Sequence, residues 1–296
     1  MPKFIFTADW HLRDKAPRCR KDEDWFAFQE ILVEWVINKA NENNCDLIIG
    51  GDIFDAPNVS SALLSMLIKQ LSKIDKKVYF IAGNHDLPYH AIENIDSSSI
   101  GVLKNISTNH TKIVYGLSAF GEWADFGNKI QGIDTGLLFL HRLVFENART
   151  LPPNVNVCTA QELLNEYPDK WLVLVGDNHT TFHYEKKDHH VINPGSLYRD
   201  TSDKKNYIPS IYYIDIDKKI FDSIPVPDDG PVVDDSYIKS EEERDSRIMA
   251  FIESVKNNGK VSLDFMKNIE IALEKNKSDI DENTLEMIHE LMEGEG

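Results

Sequence analysis

The chain of 296 residues has few cysteines, no long apolar run and no excess of basic residues. Its three cysteines, Cys19, Cys45 and Cys158, are far apart and match no disulfide or zinc-binding spacing. We therefore expect reduced thiols in a cytoplasmic protein. No apolar run approaches the roughly 20 residues that cross a bilayer, and the first residues lack a signal-peptide pattern. The sequence thus predicts no association with a membrane.

The net charge of −17 is unfavourable for a protein that binds DNA by itself. Residues 231–296 hold 17 Asp/Glu against 8 Lys/Arg, so more than half of the excess lies in the last quarter of the chain. Proteins that bind nucleic acid autonomously usually present a basic face. The charge disfavours autonomous, non-specific DNA binding, but it is compatible with a DNA-processing subunit whose partner supplies binding surface.

Up to about residue 230, short apolar runs alternate with amphipathic segments, which predicts a layered α/β fold. Helices are predicted at Asp22–Asn41 and Ser60–Ile74. The predicted strands are Lys3–Ala8, Asp46–Ile49, Lys77–Ala82, Lys112–Tyr115, Leu137–Leu140, Trp171–Val175, His190–Ile192 and Ile211–Ile216.

Three regions are predicted along the chain. Residues 1–223 form the α/β core, and residues 224–236 read as a linker because three prolines and a glycine stand among acidic residues. Residues 237–296 form an acidic segment of three short helices that begins with a capping-box signature at Ser240–Glu243. Apolar stripes on these helices indicate local packing or contact with a partner.

Five predicted strands end in residues that commonly bind metals or move protons. Each motif alone is weak, because a polar turn or an ordinary hydrogen-bonded histidine explains it equally well. Five such motifs in order are improbable by chance, and strand ends are where α/β proteins bind ligands. The motifs are ADWH (Asp9, His11), GGDIFD (Asp52, Asp55), GNHD (Asn84, His85, Asp86), His141, and GDNH (Asp177, His179).

The residue types at these strand ends suit a site for two metal ions. Two divalent ions about 3.5–4 Å apart need a bridging carboxylate and further donors. Mixed His, Asp and Asn ligands favour Mn²⁺, Fe or Zn²⁺ over Ca²⁺. A water shared by the ions can fall in pKa from about 15.7 toward roughly 7. The resulting hydroxide attacks phosphorus, and a nearby imidazole protonates the leaving oxygen.

The ordered motifs D-x-H, GD, GNHD, H and G-x-x-H resemble the calcineurin-like metallophosphoesterase superfamily. More narrowly, TADWHL at 7–12, GGDIFD at 50–55 and NPGSLYR at 193–199 resemble the SbcD-type DNA repair exonuclease subunits. The resemblance covers about residues 1–220. It implies a four-layer αββα sandwich, with two mixed sheets flanked by helices and a small C-terminal helical appendage.

The resemblance also implies a role for each motif residue. His85 would be an imidazole near the scissile phosphate that binds no metal, and Asp86 would orient it. For Asp55, a structural hydrogen bond is favoured over a direct role. The implied ligands are Asp9, His11 and His179 for one metal, Asn84, His141 and Asp177 for the other, and Asp52 bridging both.

Asp177 departs from the pattern, because relatives carry G-H-x-H where this chain has Gly176 to His179 as GDNH. A carboxylate there adds negative charge, which favours Mn²⁺ or Mg²⁺ over Zn²⁺. We therefore expect two divalent ions, Mn²⁺ first, with Mg²⁺ or Fe as alternatives. If the Asp177 carboxylate does not reach the second metal ion, that metal site is weak or empty.

Three functions are compatible with the sequence. The resemblance implies a DNA exo/endonuclease subunit that works with an SMC-like ATPase of the SbcC type. The alternatives are a stand-alone phosphodiesterase or phosphatase on nucleotides or small esters, and a scaffold with a damaged metal site. The C-terminal helices would dock on the ATPase, fold back on the core or form a homodimer.

Overall fold

The computed structural model describes residues 3–107, 112–116, 122–125, 128–130, 136–147, 158–227 and 232–234, together with positions 273, 280 and 284. The chain divides into two compact units, Met1–Asp234 and Asp235–Gly296. All of the elements below belong to the first unit. The three helices predicted for residues 237–296 lie outside the described residues, apart from those isolated positions. Among the helices that are described, none has the length and apolarity to span a membrane.

The first sheet has six strands in the order β14-β13-β1-β2-β3-β4. Strands β1 to β4 are parallel, and β13 and β14 continue the sheet in the antiparallel sense beyond β1. The sheet is therefore mixed. The strands are β1 (Lys3–Thr7), β2 (Asp46–Ile49), β3 (Val78–Phe80), β4 (Ile113–Tyr115), β13 (Ser210–Asp215) and β14 (Ile220–Pro225).

The second sheet also has six strands, in the order β11-β12-β10-β7-β5-β6. Its four central strands are parallel, and the two edge strands are antiparallel to their neighbours. The strands are β5 (Glu122–Asp125), β6 (Asn128–Ile130), β7 (Leu137–His141), β10 (Leu172–Gly176), β11 (Phe182–Lys186) and β12 (His189–Asn193). A short separate pair is formed by β8 (Val144–Phe145) and β9 (Cys158–Thr159).

Four helices cover the outer faces of the two sheets: α1 (Trp25–Glu42), α2 (Ser61–Leu71), α3 (Ser99–Ser107) and α4 (Ala160–Glu166). Successive strand side chains point to opposite faces, so Ile5 packs with α1 to α3 while Phe4 and Phe6 pack between the sheets. On the far face of the second sheet, Val173 and Val175 pack with α4. The predicted four-layer arrangement of two mixed sheets flanked by helices is confirmed.

The structure differs from the sequence prediction near the predicted linker. Strand β14 runs through Pro225, and Val233 forms an antiparallel bridge with Arg20. The compact unit therefore includes residues that the composition assigned to the linker. Pro225 is tolerated because β14 is the edge strand of its sheet, where a missing N–H breaks no central hydrogen bond.

Candidate metal centre

The five motifs converge between the carboxyl ends of strands from both sheets. Strands β1, β2 and β3 of the first sheet and β7 and β10 of the second precede them. Four of the residues have left-handed backbones: Asp9 (φ 51°), His11 (φ 42°), Asp52 (φ 49°) and Asp177 (φ 81°). Such conformations cost about 1–3 kcal/mol each and cluster at functional sites. The chain thus turns sharply after these strands and directs their polar side chains together.

Two glycines allow close contacts at this point, Gly51 between the two sheets and Gly83 within the first sheet. A Cβ atom at Gly51, whose φ is 100°, would overlap the imidazole of His141 from the second sheet. A Cβ atom at Gly83 would overlap the carboxylate of Asp52. Any larger residue at either position would push the candidate ligands apart.

The first group of candidate ligands consists of Asp9, His11 and His179. One potential ligand atom from each lies within 4.8 Å of the others. The Nε2 atoms of His11 and His179 are 2.9 Å apart. Asp9 is fully buried, and its two oxygens accept the backbone N–H of Asp177 at 3.0 and 3.2 Å, which joins β1 and β10 across the sheets.

Asp52 lies between this group and the second one. Its Oδ1 accepts the backbone N–H of His85 at 2.9 Å. Its Oδ2 is 3.6 Å from Nε2 of His11 and 3.3 Å from Nε2 of His141. That oxygen is buried and has no hydrogen-bond partner within the described part of the chain. A buried carboxylate oxygen without a partner is costly, and a cation would satisfy it.

The second group is centred on His141. Its Nδ1 donates to the carbonyl of Gly50 at 2.8 Å, which directs Nε2 into the site. That Nε2 lies 3.0 Å from Oδ1 of Asn84 and 3.9 Å from Oδ1 of Asp177. Asp177 is therefore within reach of the same point, on the partly exposed side of the site.

The electrostatics of this site indicate a need for positive charge. Burial disfavours the protonated imidazole of His141, but the Asp52 carboxylate outweighs burial and raises the pKa of His141 to about 10. Burial raises the pKa of Asp9. Burial by itself would raise the pKa of Asp52, but the nearby His141 outweighs burial and lowers the pKa of Asp52. These buried acids, the oxygen of Asp52 without a partner and the converging imidazoles fit two divalent cations.

His85 lies at the rim of the site, with 41% of its side chain exposed. Its ring stands edge-on to that of His11, with centroids 4.8 Å apart. Its Nδ1 is 3.1 Å from the backbone carbonyl of Asp55, which can only accept, so the contact assigns a proton to Nδ1. His85 therefore lies at the exposed edge of the candidate metal centre, beside His11.

The prediction that Asp86 orients His85 is corrected by the structure. Both oxygens of Asp86 accept backbone N–H groups, from Ile53 at 3.2 Å, Phe54 at 2.8 Å and Gly83 at 2.8 Å. The carboxylate therefore ties the loop after β2 to the loop after β3. It is fully buried, and burial together with the nearby Asp52 charge raises its pKa to about 7.

This role predicts a loss of stability in Asp86→Ala. Three buried N–H groups would lose their acceptor, at a cost of about 3 kcal/mol or more in the free energy of unfolding. The melting temperature should fall by roughly 6–12 °C, measured by circular dichroism with and without Mn²⁺. An unchanged melting temperature with lost activity would instead support a direct catalytic role.

Three further residues contact the candidate ligands, and sequence reasoning gave little weight to them or missed them. Oδ1 of Asp55 is 3.4 Å from Nδ1 of His11 and is paired with Arg13. On the other side, Asp200 and Lys204 contact Nδ1 of His179. The GGDIFD motif pointed to Asp55. Asp200 and Lys204 have the i,i+4 spacing of ordinary surface ion pairs, so the sequence did not indicate a role for them.

Known proteins agree with a phosphoesterase site. Carboxylates and imidazoles that converge at the carboxyl ends of strands from two stacked sheets are the ligand types of metal-dependent hydrolases. The family model for calcineurin-like phosphoesterases matches residues 2–204. The chain belongs to the calcineurin-like phosphoesterase family, and its candidate metal-binding groups are those of a phosphoesterase.

Individual relatives are distant. The probable exonuclease subunit 1 of Escherichia phage T5 is 26% identical over 117 residues, which cover 38% of this chain and 34% of that protein. The match thus spans about a third of the relative's length. Among solved structures, an archaeal phosphodiesterase has 17% identity and a TM-score of 0.41, and covers 75% of this chain and 99% of its own. A putative 5′-nucleotidase from Staphylococcus aureus has 13% identity and a TM-score of 0.43, and the match covers 82% of this chain and 57% of the nucleotidase.

Proposed function

We propose that the protein hydrolyses phosphodiester bonds in DNA with two divalent cations, as the nuclease subunit of a complex with an SMC-like ATPase. The observation that carries the metal-dependent reaction is the buried Oδ2 of Asp52. It lacks a hydrogen-bond partner in the described chain and lies between Nε2 of His11 and Nε2 of His141. A divalent cation held beside Asp52 would satisfy this buried oxygen and supply the metal ion that the reaction needs.

We assign separate roles to the metal-binding residues and to His85. When bound, two divalent cations supply a nucleophilic hydroxide at neutral pH and neutralise charge on the phosphate. His85, exposed at the rim, donates a proton to the leaving oxygen. Asp9, His11 and His179 would hold one cation, Asn84, His141 and Asp177 would hold the other, and Asp52 would contribute to both sites.

Mn²⁺ is the cation that this donor set favours. The second group combines one imidazole with an amide oxygen and a carboxylate oxygen, from His141, Asn84 and Asp177. Oxygen-rich mixed sets suit Mn²⁺ or Mg²⁺ better than Zn²⁺. We therefore expect activity with Mn²⁺ to exceed activity with Zn²⁺.

A local basic segment supports DNA as the substrate despite the acidic total. Residues 13–21 hold five Lys/Arg and one Asp, and this segment begins two residues after His11. Lys15 and Arg18 are exposed, and Lys21 is exposed but paired with Asp234 at 3.3 Å. Such charges can contact phosphates along a strand that enters the site. The phage relative is described as a probable exonuclease subunit, which supports a nucleic-acid substrate.

The double variant Lys15→Ala/Arg18→Ala should weaken DNA cleavage while sparing a small phosphodiester. We expect kcat/KM on linear DNA to fall about tenfold at low salt, and the salt dependence of binding to decrease by about two ion equivalents. A matched control is Lys76→Ala/Lys77→Ala, which removes two exposed lysines at the end of β3 that lies away from the candidate metal centre. Equal losses in both variants would argue against a local DNA path.

The substrate itself is tested with the unmodified protein and Mn²⁺. Linear and hairpin DNA are compared with bis-(p-nitrophenyl) phosphate. Cleavage of both DNA and the small ester supports the proposal. Cleavage of the small ester alone would favour a stand-alone phosphodiesterase, and no turnover with any metal would favour a scaffold.

The partner is proposed to dock on residues 237–296. This segment carries most of the acidic excess and the apolar stripes of its predicted helices. Its removal should abolish co-purification with an SMC-like ATPase while leaving hydrolysis of the small ester within about twofold, since the metal-site residues lie in the first unit. An unchanged pull-down would refute the docking role.

A further inference from the structure

Nδ1 of His179 has two neighbours of opposite hydrogen-bonding character. The ammonium of Lys204 is 2.9 Å away and can only donate. The carboxylate oxygen Oδ2 of Asp200 is 3.4 Å away and can only accept while it is ionised. Lys204 and Asp200 also contact each other at 2.5 Å. All three side chains are largely enclosed, with 30, 11 and 7% of His179, Lys204 and Asp200 exposed.

These two neighbours impose opposite tautomers on His179. If Lys204 donates to Nδ1, the ring proton must be on Nε2. That N–H then donates to Nε2 of His11, which is 2.9 Å away, so the ring proton of His11 is on Nδ1, 3.4 Å from Oδ1 of Asp55. In this pattern both Nε2 atoms are engaged with each other, so neither can bind a cation.

If Asp200 accepts from Nδ1 instead, the pattern reverses. The Nε2 atoms of His179 and His11 then both present lone pairs to the same point, which is favourable only around a cation. The number of protons is the same in the two patterns. The difference is therefore a change of tautomer and of the position of Lys204, rather than a titration.

We propose that Asp200 and Lys204 form a tautomer switch behind His179, in which Asp200 favours the ligand form and Lys204 opposes it. This inference rests on the proposed function in one respect, the role of His179 as a metal ligand. Asp200 and Lys204 are positioning residues, because they act through His179. Cation binding would displace Lys204 from Nδ1, so the lysine lowers the affinity of this position for its cation.

The first test measures the tautomer directly in metal-depleted protein. Proteins labelled with ¹⁵N-histidine report which ring nitrogen carries the proton, and the His179→Gln variant identifies the signals of His179. We expect Nε2–H in the unmodified protein and Nδ1–H in Lys204→Met. The switch is refuted if His179 already carries its proton on Nδ1, or if Lys204→Met leaves the signals unchanged.

The second test measures Mn²⁺ affinity by isothermal titration calorimetry. Lys204→Met should strengthen binding several-fold, since the competent form is no longer a minor population. Asp200→Asn should weaken it about 10- to 100-fold, as expected for the loss of a carboxylate behind a ligand histidine. Lys205→Met, which changes an exposed neighbouring lysine, should have no effect. Equal affinities in all four proteins would overturn the proposal.

A failure of the proposed function remains distinguishable from a failure of the switch. If His179→Gln still binds two Mn²⁺ ions with unchanged affinity, the ligand assignment of His179 is wrong whatever the tautomer spectra show. If His179→Gln loses one ion but Lys204→Met neither changes the tautomer nor strengthens binding, the metal centre stands and the switch is wrong.

Discussion

Asp52→Asn is expected to lower kcat for phosphodiester hydrolysis at least about 10³-fold, because a bridging carboxylate at a two-metal site contributes several kcal/mol. The amide keeps the shape of the side chain and can still accept the backbone N–H of His85. It loses the negative charge between His11 and His141. The measurement is kcat on bis-(p-nitrophenyl) phosphate at saturating Mn²⁺, with elemental analysis of bound metal.

A matched control for this variant is Asp222→Asn, on the exposed face of β14. It removes the same charge from the net total without touching the site, so activity should be unchanged. Circular dichroism establishes that both variants fold. An Asp52→Asn protein with two bound ions and normal turnover would contradict the bridging role.

Asp177 should behave as a ligand that histidine can replace. Asp177→Ala is expected to weaken Mn²⁺ binding at least tenfold and to lower kcat about 10²-fold, whereas Asp177→His should stay within about tenfold of the unmodified protein. The reason is geometric, since Oδ1 of Asp177 lies 3.9 Å from Nε2 of His141. Alanine and histidine share the strain of the left-handed backbone, so their difference isolates the donor atom.

The comparison needs a control for loss of surface charge. Asp188→Ala is a suitable control, because the Asp188 side chain is 90% exposed in the turn between β11 and β12. Metal counting and kcat are measured on all four proteins. If the alanine variant binds two ions and turns over normally, Asp177 is not a ligand and the second cation is held without it.

Much of the fold was predictable because strand and helix signals were local and strong. Strand β10 is an uninterrupted apolar run, and α1 begins where Asp24 caps it by accepting from the N–H of Ala27. The sequence did not predict α4, which has only seven residues, or β11, whose residues Phe182–Lys186 show no clear alternation. Short elements depend on packing against neighbours that a local pattern cannot identify.

The site was predictable to the extent that its residues directly follow strands. Strands β1, β2, β3, β7 and β10 bring their motifs together once the two sheets stack. Asp86 shows where adjacency misleads. It is next to His85 in sequence, yet the tight turn directs its carboxylate to the backbone of Ile53 and Phe54. Asp200 and Lys204 reach His179 only through tertiary folding, so no local pattern revealed them.

Anomalous diffraction from crystals grown with Mn²⁺ would locate the proposed two-metal centre. We expect two Mn²⁺ peaks about 3.5–4 Å apart on either side of Asp52. One should contact Asp9, His11 and His179, and the other Asn84, His141 and Asp177. A map with no peak beside Asp52, or with ions bound only elsewhere, would contradict it.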